Sequence, residues 1–322
     1  MERVVDPTVE SRRREQGWSV NVAFAVMVAL LVAGPFVVYP VFLMKALCFA
    51  LFACAFNLLI GYVGLLSFGH AMFFGWASYL AAYSAKAWGL PPELAIIVGT
   101  ATAAVLGVVA GGLAIRRQGI YFAMITLALA QMMYFFALQA KFTGGEDGIQ
   151  GVPRGRLFGV FNLANEMTMY VFVLVVVLAG FLLIYRIINS PFGEVLKAIR
   201  ENEQRAISLG YKSERYKLVA FVLSATLAGL AGSMNALVFQ LASLTDVHWT
   251  MSGDVILMTL LGGLGTVFGP VVGALFVITM QNYLAPFGQW VLVIQGAVFV
   301  VCVLLFRRGI VGEIARILRV QL

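Results

Sequence analysis

The sequence predicts an all-α polytopic membrane protein with about ten transmembrane helices, of which some are broken by glycine or re-entrant. Hydrophobic residues make up 61% of the 322 residues and charged residues only 11%, against roughly 25% charged in soluble domains. The apolar residues also lie in long uncharged runs, and about 20 such residues cross the hydrocarbon core of a bilayer. A soluble fold of this length could not bury so much apolar surface.

The lengths of the uncharged runs set the number of spans. The runs are 20–44, 46–85, 94–115, 118–140, 167–185, 218–245 and 255–306. Five of them fit one span each. The 40-residue run 46–85, extended back to Val41, holds two spans, and the 52-residue run 255–306 holds two or three. The first part of the last run, from Val255 to about Gly265, is short enough to be re-entrant.

Basic residues at both ends of the chain decide between these counts. Cytoplasmic segments of membrane proteins are enriched in Lys and Arg, so both tails are predicted to be cytoplasmic. An even number of spans is then needed, and three crossings in 255–306 give ten. This topology places 17 Lys and Arg residues on the cytoplasmic side and five outside. The predicted divisions are a cytoplasmic tail over 1–18, a transmembrane domain over 19–306 with a cytoplasmic loop at 189–216 and an outer loop at 141–166, and a cytoplasmic tail over 307–322.

One segment between spans, residues 186–217, is densely charged. It holds seven basic and four acidic residues, and its basic excess places it in the cytoplasm. Ser190 as a cap, Pro191 in the first turn and Gly210 as a terminator predict one helix. The pattern alone leaves two interpretations, a platform for a soluble partner or an amphipathic helix lying on lipid headgroups.

Two glycine-rich interruptions, 61–70 and 262–270, fall within apolar runs. Unwound backbone at membrane depth is tolerated only where protein buries it or a wet cavity borders it, and paired interruptions point to a transport path. Glycine spacings such as Gly107-xxx-Gly111 equally suit close helix packing. His70 is either a hydrogen-bonded structural residue or a proton relay. The candidate path residues are Ser67, Gly69, His70, Thr126, Gln131, Gly263, Gly265 and Thr266.

Several residue types that other functions need are missing from the spans. No Asp or Glu lies in mid-span, whereas ion-coupled transporters commonly use intramembrane carboxylates. The chain has no Gly-x-x-x-x-Gly-Lys-Ser/Thr loop, no metal-ligand spacing and no hydrolase arrangement. We therefore expect no enzyme activity, metal or cofactor on this chain. Its basic residues lie between the spans and form no continuous basic surface, so nucleic acid is not an expected partner.

Five segments of the chain resemble the M-type permease family of bacterial branched-chain amino acid ABC importers. They are 116–131, 143–153, 191–210, 216–232 and 262–270, in collinear order within about 45–310. The resemblance implies a large-bundle permease of the bacterial inner membrane that imports branched-chain or related amino acids. Related importers leave urea, amides or small aromatic acids as alternative cargo, and an ion-coupled secondary transporter is the rival from another class.

The resemblance also implies partners for the chain. They are a second homologous permease in a heterodimer, two cytoplasmic ATPase subunits that hydrolyse ATP, an extracytoplasmic substrate-binding protein and the surrounding lipid. In this family the charged segment docks in an ATPase groove. The implied coupling residues are Glu194, Val195, Ile199, Arg200, Glu201, Asn202, Glu203, Ala206 and Gly210.

The match to the general importer pattern is partial. Glu203, Ala206 and Gly210 are present, whereas the Ile-x-Leu-Pro that follows in other importers is absent, so the contact residues remain open. The outer loop is implied to lie near the binding protein, with a turn-rich connector as the alternative, and it resembles the amino-acid type more than the urea type. Its candidate residues are Gly144, Gly145, Glu146, Asp147 and Gly148.

Overall fold

The computed structural model describes residues 22–288, 290–306 and 309–317, which are almost wholly helical. The predicted tail over 1–18 lies outside the described residues, as do 307–308 and 318–322 of the other tail. The helices are α1 (Val22–Phe36), α2 (Pro40–Tyr62), α3 (His70–Ala87), α4 (Pro92–Ala114), α5 (Ile120–Gln139), α6 (Glu166–Ile188), α7 (Pro191–Glu201), α8 (Glu203–Ser208), α9 (Ser213–Phe239), α10 (Trp249–Gly262), α11 (Gly269–Leu284), α12 (Trp290–Leu305) and α13 (Gly309–Ile317).

Six of the described helices are long and apolar enough to cross a membrane: α2, α4, α5, α6, α9 and α11 with the turn that follows it. The apolar helices α1 and α12 are shorter, α3 has 18 residues and α10 has 14. The structure therefore confirms a helical membrane bundle with six candidate spans. The total of ten spans stays a prediction.

Local sequence explains where several helices begin. Pro40, Pro92 and Pro191 occupy the first turns of α2, α4 and α7, where the missing N–H costs no hydrogen bond and the fixed φ suits a helix. The side chain of Asn165 accepts a hydrogen bond from the backbone N–H of Met167 and caps α6. The helices α2, α4 and α6 therefore begin within two residues of the span starts predicted at 41, 94 and 167.

The bundle has two ends, and the helices run between them in alternating directions. At one end, which we call the α7 end, Arg200 of α7 contacts Gly61 near the end of α2, and Gly309 at the start of α13 packs on Gly263. At the other end, which we call the β1–β4 end, β1 (Ile149–Gln150) pairs antiparallel with β4 (Leu241–Ala242). A second short pair, β2 (Arg156–Leu157) and β3 (Phe161–Asn162), lies in the same connection between α5 and α6.

Small residues let the central helices α3, α4 and α9 pack closely. A Cβ added at Gly107 would lie 2.8 Å from the Ala225 Cβ, and one added at Gly111 would lie 2.8 Å from Leu218 Cδ1. Both contacts join α4 to α9. The close-packing interpretation of the Gly107-xxx-Gly111 spacing is therefore confirmed. These contacts hold the bundle that positions the two glycine interruptions.

Candidate functional site

The charged segment forms two helices, which corrects the prediction of one continuous helix. Ser190 caps α7 as expected, with its Oγ accepting from the Gly193 N–H at 3.3 Å. Asn202 then adopts an extended backbone (φ −156°, ψ 97°), and its Oδ1 accepts from the Arg205 N–H at 3.0 Å. Asn favours such caps over helix interiors because its side chain bonds the local backbone. Asn202 therefore ends α7 and starts α8.

The predicted coupling residues divide between the surface and the interior. Glu194, Arg200, Glu201, Asn202 and Gly210 are exposed, and Val195 and Glu203 are half-buried. Ile199 and Ala206 are each only 3% exposed and pack against the chain's own helices. The Ile199 side chain is therefore already covered in this structure and does not lie on the exposed surface. The coupling role of the set as a whole stays a prediction.

Three exposed apolar side chains lie in the last turn of α8 and in the turn that follows it. They are Ile207, Leu209 and Tyr211, which are 47%, 70% and 41% exposed. The coupling residues implied by the sequence did not include them. We call the exposed residues of α7, α8 and the turn through Tyr211 the α7–α8 platform.

The platform is fixed to the bundle through a half-buried ion pair. Lys217 Nζ of α9 lies 2.6 Å from Glu203 Oε1, with side-chain exposures of 6% and 18%. Gln118 Nε2, in the connection between α4 and α5, donates to Glu203 Oε2 at 2.8 Å. Because a shielded ion pair is costly to break by removing one partner, α8 is held to both neighbouring elements.

Arg200 links the platform to both glycine interruptions. Its Nη1 donates a hydrogen bond to the Gly61 carbonyl, and its Cγ lies 3.1 Å from the position of a Cβ at Gly64. The same Nη1 lies 3.4 Å from the position of a Cβ at Gly265. Gly64 and Gly265 have φ values of +80° and +75°, which glycine adopts without strain. A movement of α7 would therefore act directly on both interruptions.

The second interruption, residues 263–268, is held by α2. Asn57 Nδ2 donates to the Thr266 carbonyl at 2.9 Å, and the Gly265 N–H donates to Asn57 Oδ1 at 3.0 Å. Tyr62 OH donates to the Gly265 carbonyl at 2.9 Å, and Thr266 Oγ1 donates to the carbonyl of buried Gly263 at 2.8 Å. Sequence analysis missed Asn57, although an amide in the apolar run of α2 is the signal that could have revealed it.

The first interruption, residues 63–69, is held by α5. The Phe68 N–H donates to Thr126 Oγ1 at 3.2 Å, and the Gly69 N–H donates to Ser67 Oγ at 3.2 Å. A Cβ added at Gly69 would lie 2.8 Å from the Thr126 carbonyl oxygen. The structure thus brings Ser67, Gly69 and Thr126 together, while Gln131 lies half-buried farther along α5.

His70 is fully buried at the start of α3. Its Nε2 lies 2.9 Å from Ser224 Oγ, and Ser224 Oγ donates to the Ala55 carbonyl at 2.6 Å. Since the serine proton is used in that bond, His70 Nε2 donates to Ser224. The rings of Phe56 and Phe221 stand edge-on with centroids at 5.0 and 6.0 Å. This setting favours the structural interpretation of His70 over a proton relay.

Helix α2 connects the two groups of candidate path residues. Phe56 contacts His70 of the first interruption, and the next residue, Asn57, binds Thr266 of the second. A cavity of about 430 Å³ lies between the first interruption and the start of α5, with mostly apolar walls that include Leu65 and Ile120. Ser67, Gly69 and His70 do not line this cavity, and the assignment of the path residues stays a prediction.

The predicted outer loop lies at the β1–β4 end, away from the platform. Glu146 and Asp147 are exposed there. The neighbouring Gly144, Gly145 and Gly148 have φ values of +79°, +62° and +67°. Gly148 packs on the carbonyl of Ala242 in β4, and Gly144 packs on the carbonyl of Gly148. The loop is therefore a fixed turn that presents two carboxylates.

The family described as branched-chain amino acid transport system / permease component matches residues 39–303, from just before α2 into α12. The chain belongs to this family. Its long apolar helices indicate a multi-pass membrane protein. Among the described residues, no group of three or more His, Cys, Asp or Glu side chains is placed to hold a metal ion.

The chain is similar to several curated proteins. The high-affinity branched-chain amino acid transport system permease protein LivM of Escherichia coli is 26% identical over 277 residues, which cover 79% of this chain and 65% of LivM. The ribose import permease protein RbsC of Bacillus subtilis is 31% identical over 228 residues, covering 68% and 70%. The probable branched-chain amino acid transport permease protein LivH of Methanocaldococcus jannaschii is 25% identical over 211 residues, covering 61% and 64%. The chain therefore spans slightly less than two thirds of LivM and LivH. No solved structure matches it.

Proposed function

We propose that the chain is the transmembrane permease subunit of an ATP-driven importer. It forms half of the translocation pathway for branched-chain or related amino acids that an extracytoplasmic binding protein delivers. The family description and the printed function of the LivM relatives support this cargo. The 31% identical ribose permease supports a second candidate, a sugar, which the uptake assay below includes.

The observation that carries the ATP-driven mechanism is the link from the α7–α8 platform to both interruptions through Arg200. A permease driven by a soluble ATPase needs an exposed docking surface that is joined to its interior. The platform offers charged Glu201 and Arg205 beside exposed Ile207 and Leu209. A short helix with this mixture suits a groove on a protein partner. ATP binding and hydrolysis then belong to that partner, and the chain needs no cofactor of its own.

The orientation follows from the same platform. The α7 end faces the cytoplasm, because Arg116, Arg117 and the basic residues of 186–217 gather there. The β1–β4 end, with Glu146 and Asp147, faces outward to the binding protein. We propose ten crossings, made by α1 to α6 and α9 to α12, with both termini cytoplasmic. The LivH relative supports a second, homologous permease as the partner within the membrane.

Uptake by reconstituted liposomes tests this function. The chain is assembled with a second permease and two ATPase subunits, and radiolabelled leucine or ribose is added outside with the binding protein. We expect leucine uptake that needs internal ATP and ignores a protonophore. Uptake by this chain alone that a protonophore abolishes would contradict the proposal, and uptake of ribose in place of leucine would change the cargo.

A variant of the platform separates coupling from assembly. Leu209→Asp places a charge on the exposed tip of the platform, and we expect ATP hydrolysis to become independent of leucine uptake. The control is Arg117→Asp, which places the same acidic side chain, with a larger change of charge, at an exposed position of the α7 end outside the platform. Equal behaviour of the two variants would exclude the platform as the docking surface.

A further inference from the structure

A cavity of about 260 Å³ opens at the β1–β4 end, far from the α7–α8 platform. Lys45 on α2, Asp246 just before α10 and Asp254 on α10 line it, so charges of both signs face one small space. In the sequence each of the three borders an uncharged run. The structure gathers them around the cavity.

The opposite charges are held apart by other contacts. In the described part of the chain, no ion pair within 4.0 Å joins Lys45 to either carboxylate, and its Nζ lies 6.0 Å from the centroid of the Phe239 ring. The two oxygens of Asp254 accept hydrogen bonds from Gln295 Nε2 at 3.0 Å and Gln281 Nε2 at 3.3 Å. A lysine and a carboxylate that would attract each other are thus kept separate with open space between them.

A third group in the same wall has an unmet hydrogen bond. Asn235 of α9 is 5% exposed and lines the cavity. Its Oδ1 has no hydrogen-bond partner among the described residues. Buried polar atoms are nearly always paired, so such an atom needs an explanation. A ligand that donates a hydrogen bond from within the cavity would supply the missing partner.

Asp246 is also sensitive to what enters the cavity. Burial raises its pKa to about 6, and a hydrogen bond from Ser243 and the positive charge of Lys45 offset part of that rise. A cationic group nearby favours the charged form of a buried carboxyl. A further positive charge in the cavity would therefore stabilise the ionised form of Asp246.

Part of the remaining wall is apolar. Phe49, Phe239 and Met251 line the cavity beside the charged groups, and Ser243, Thr245 and Gln281 add polar groups. At roughly 30 Å³ for each water, the volume of about 260 Å³ equals about nine waters, close to the number of non-hydrogen atoms in leucine. The cavity thus offers a cation, two carboxylates, an amide and an apolar surface at the scale of one small ligand.

We propose that this cavity binds an α-amino acid with an aliphatic side chain, with its carboxylate at Lys45, its ammonium at Asp254 and Asp246, and its side chain against the apolar wall. This inference rests on the proposed function, because the ligand is the cargo that the binding protein releases at this end. A simple cation fits the site less well because Lys45 repels it. A neutral sugar carries no charge to compensate those of Lys45, Asp246 and Asp254.

Direct binding tests the inference. The assembled complex in lipid nanodiscs, without the binding protein, is titrated with tritiated leucine. Leucinamide, which lacks the carboxylate, and 4-methylpentanoate, which lacks the ammonium, are used as competitors. We expect saturable binding and a preference for leucine over both analogues of at least about tenfold, because each analogue lacks one charged group that the site would bind.

The variants assign each charge. Lys45→Met should remove the preference for leucine over leucinamide and keep the preference for leucine over 4-methylpentanoate. Asp254→Asn should remove the preference over 4-methylpentanoate and keep the preference over leucinamide. Lys45→Arg should keep both preferences, which shows that the charge matters and the fold is intact. The matched controls are Lys141→Met and Glu166→Gln, which are exposed at the same end and should bind as the unaltered complex does.

Two results would overturn the inference. One is the absence of saturable leucine binding to the complex. The other is a loss in the Lys45 and Asp254 variants that is equal for leucine and both analogues, because it would indicate a structural role. Leucine uptake by the unaltered complex is measured in parallel. If the unaltered complex takes up leucine but the variants show no change in selectivity, only the binding site is contradicted. If the unaltered complex takes up no leucine, the proposed function is contradicted.

Discussion

Replacing Asn57 by leucine is expected to release the second interruption from α2. Asn57 is 3% exposed, and its amide makes one hydrogen bond to Gly265 and one to Thr266. Leucine has the same branched shape, although it is larger, and it can make neither bond. The backbone N–H of Gly265 and the carbonyl of Thr266 then lose their partner.

The size of the effect follows from the two lost bonds. Each is worth about 0.5–1.5 kcal/mol net, and a buried group left without a partner costs about 1–3 kcal/mol. Gly265 and Thr266 are half-buried, so water restores part of the loss. We therefore expect the opening free energy of residues 263–268 to fall by about 2 kcal/mol, or about thirtyfold in the opening equilibrium.

Hydrogen exchange measured by mass spectrometry on the assembled complex reports this opening. Peptides that cover 263–268 should exchange about thirtyfold faster in Asn57→Leu, with no change at the β1–β4 end. The matched control is Tyr62→Phe, which removes one hydrogen bond to the same segment and should accelerate exchange only about fivefold. Equal acceleration in the two variants, or exchange that rises throughout the bundle, would refute the reasoning.

Three further predictions concern packing, topology and pH. Gly232→Ala should lower the melting temperature of the complex, because the added Cβ meets the backbone of α3, whereas Gly112→Ala, with nothing within 4 Å, should leave it unchanged or raise it. Cysteines that replace the exposed Glu146 and Ser208 should react with an impermeant reagent from opposite faces of the membrane, and labelling from one face would contradict the proposed orientation. Since burial raises the pKa of Asp246 from 3.8 to about 6, the folded state holds this proton more tightly. The resulting stability is present below about pH 4 and is lost as the pH rises to about 6. Asp246→Asn should reduce the change of the melting temperature between about pH 4 and about pH 6. An unchanged pH dependence in this variant would exclude a contribution from Asp246.

The helices and the two interruptions could be predicted from the sequence because hydrophobicity and glycine act locally. Runs that lack charge mark buried or lipid-facing helix, and the glycine clusters at 61–70 and 262–270 fall where α2 and α10 end. The break at Asn202 was missed because a capping side chain within an amphipathic pattern does not alter the pattern itself. Local rules thus give the elements but not every boundary.

The contacts between elements could not be predicted in the same way. Ile199 has the spacing of an exposed apolar contact, but only the packing of α7 on the bundle shows that it is covered. Lys45 and Asp254 are 209 residues apart in the chain, and no local signal tells that they face one cavity. The hydrogen bonds from Asn57 to the second interruption are equally distant in sequence.

Cross-linking from the tip of the platform tests most directly the claim that a soluble ATPase drives this permease. A photoreactive residue is placed at Leu209, which is 70% exposed, and at Val160, which is 75% exposed at the opposite end, in the assembled complex within membranes. We expect a covalent adduct between position 209 and an ATPase subunit, and none between position 160 and that subunit. Adducts from position 209 to lipid alone would contradict this claim.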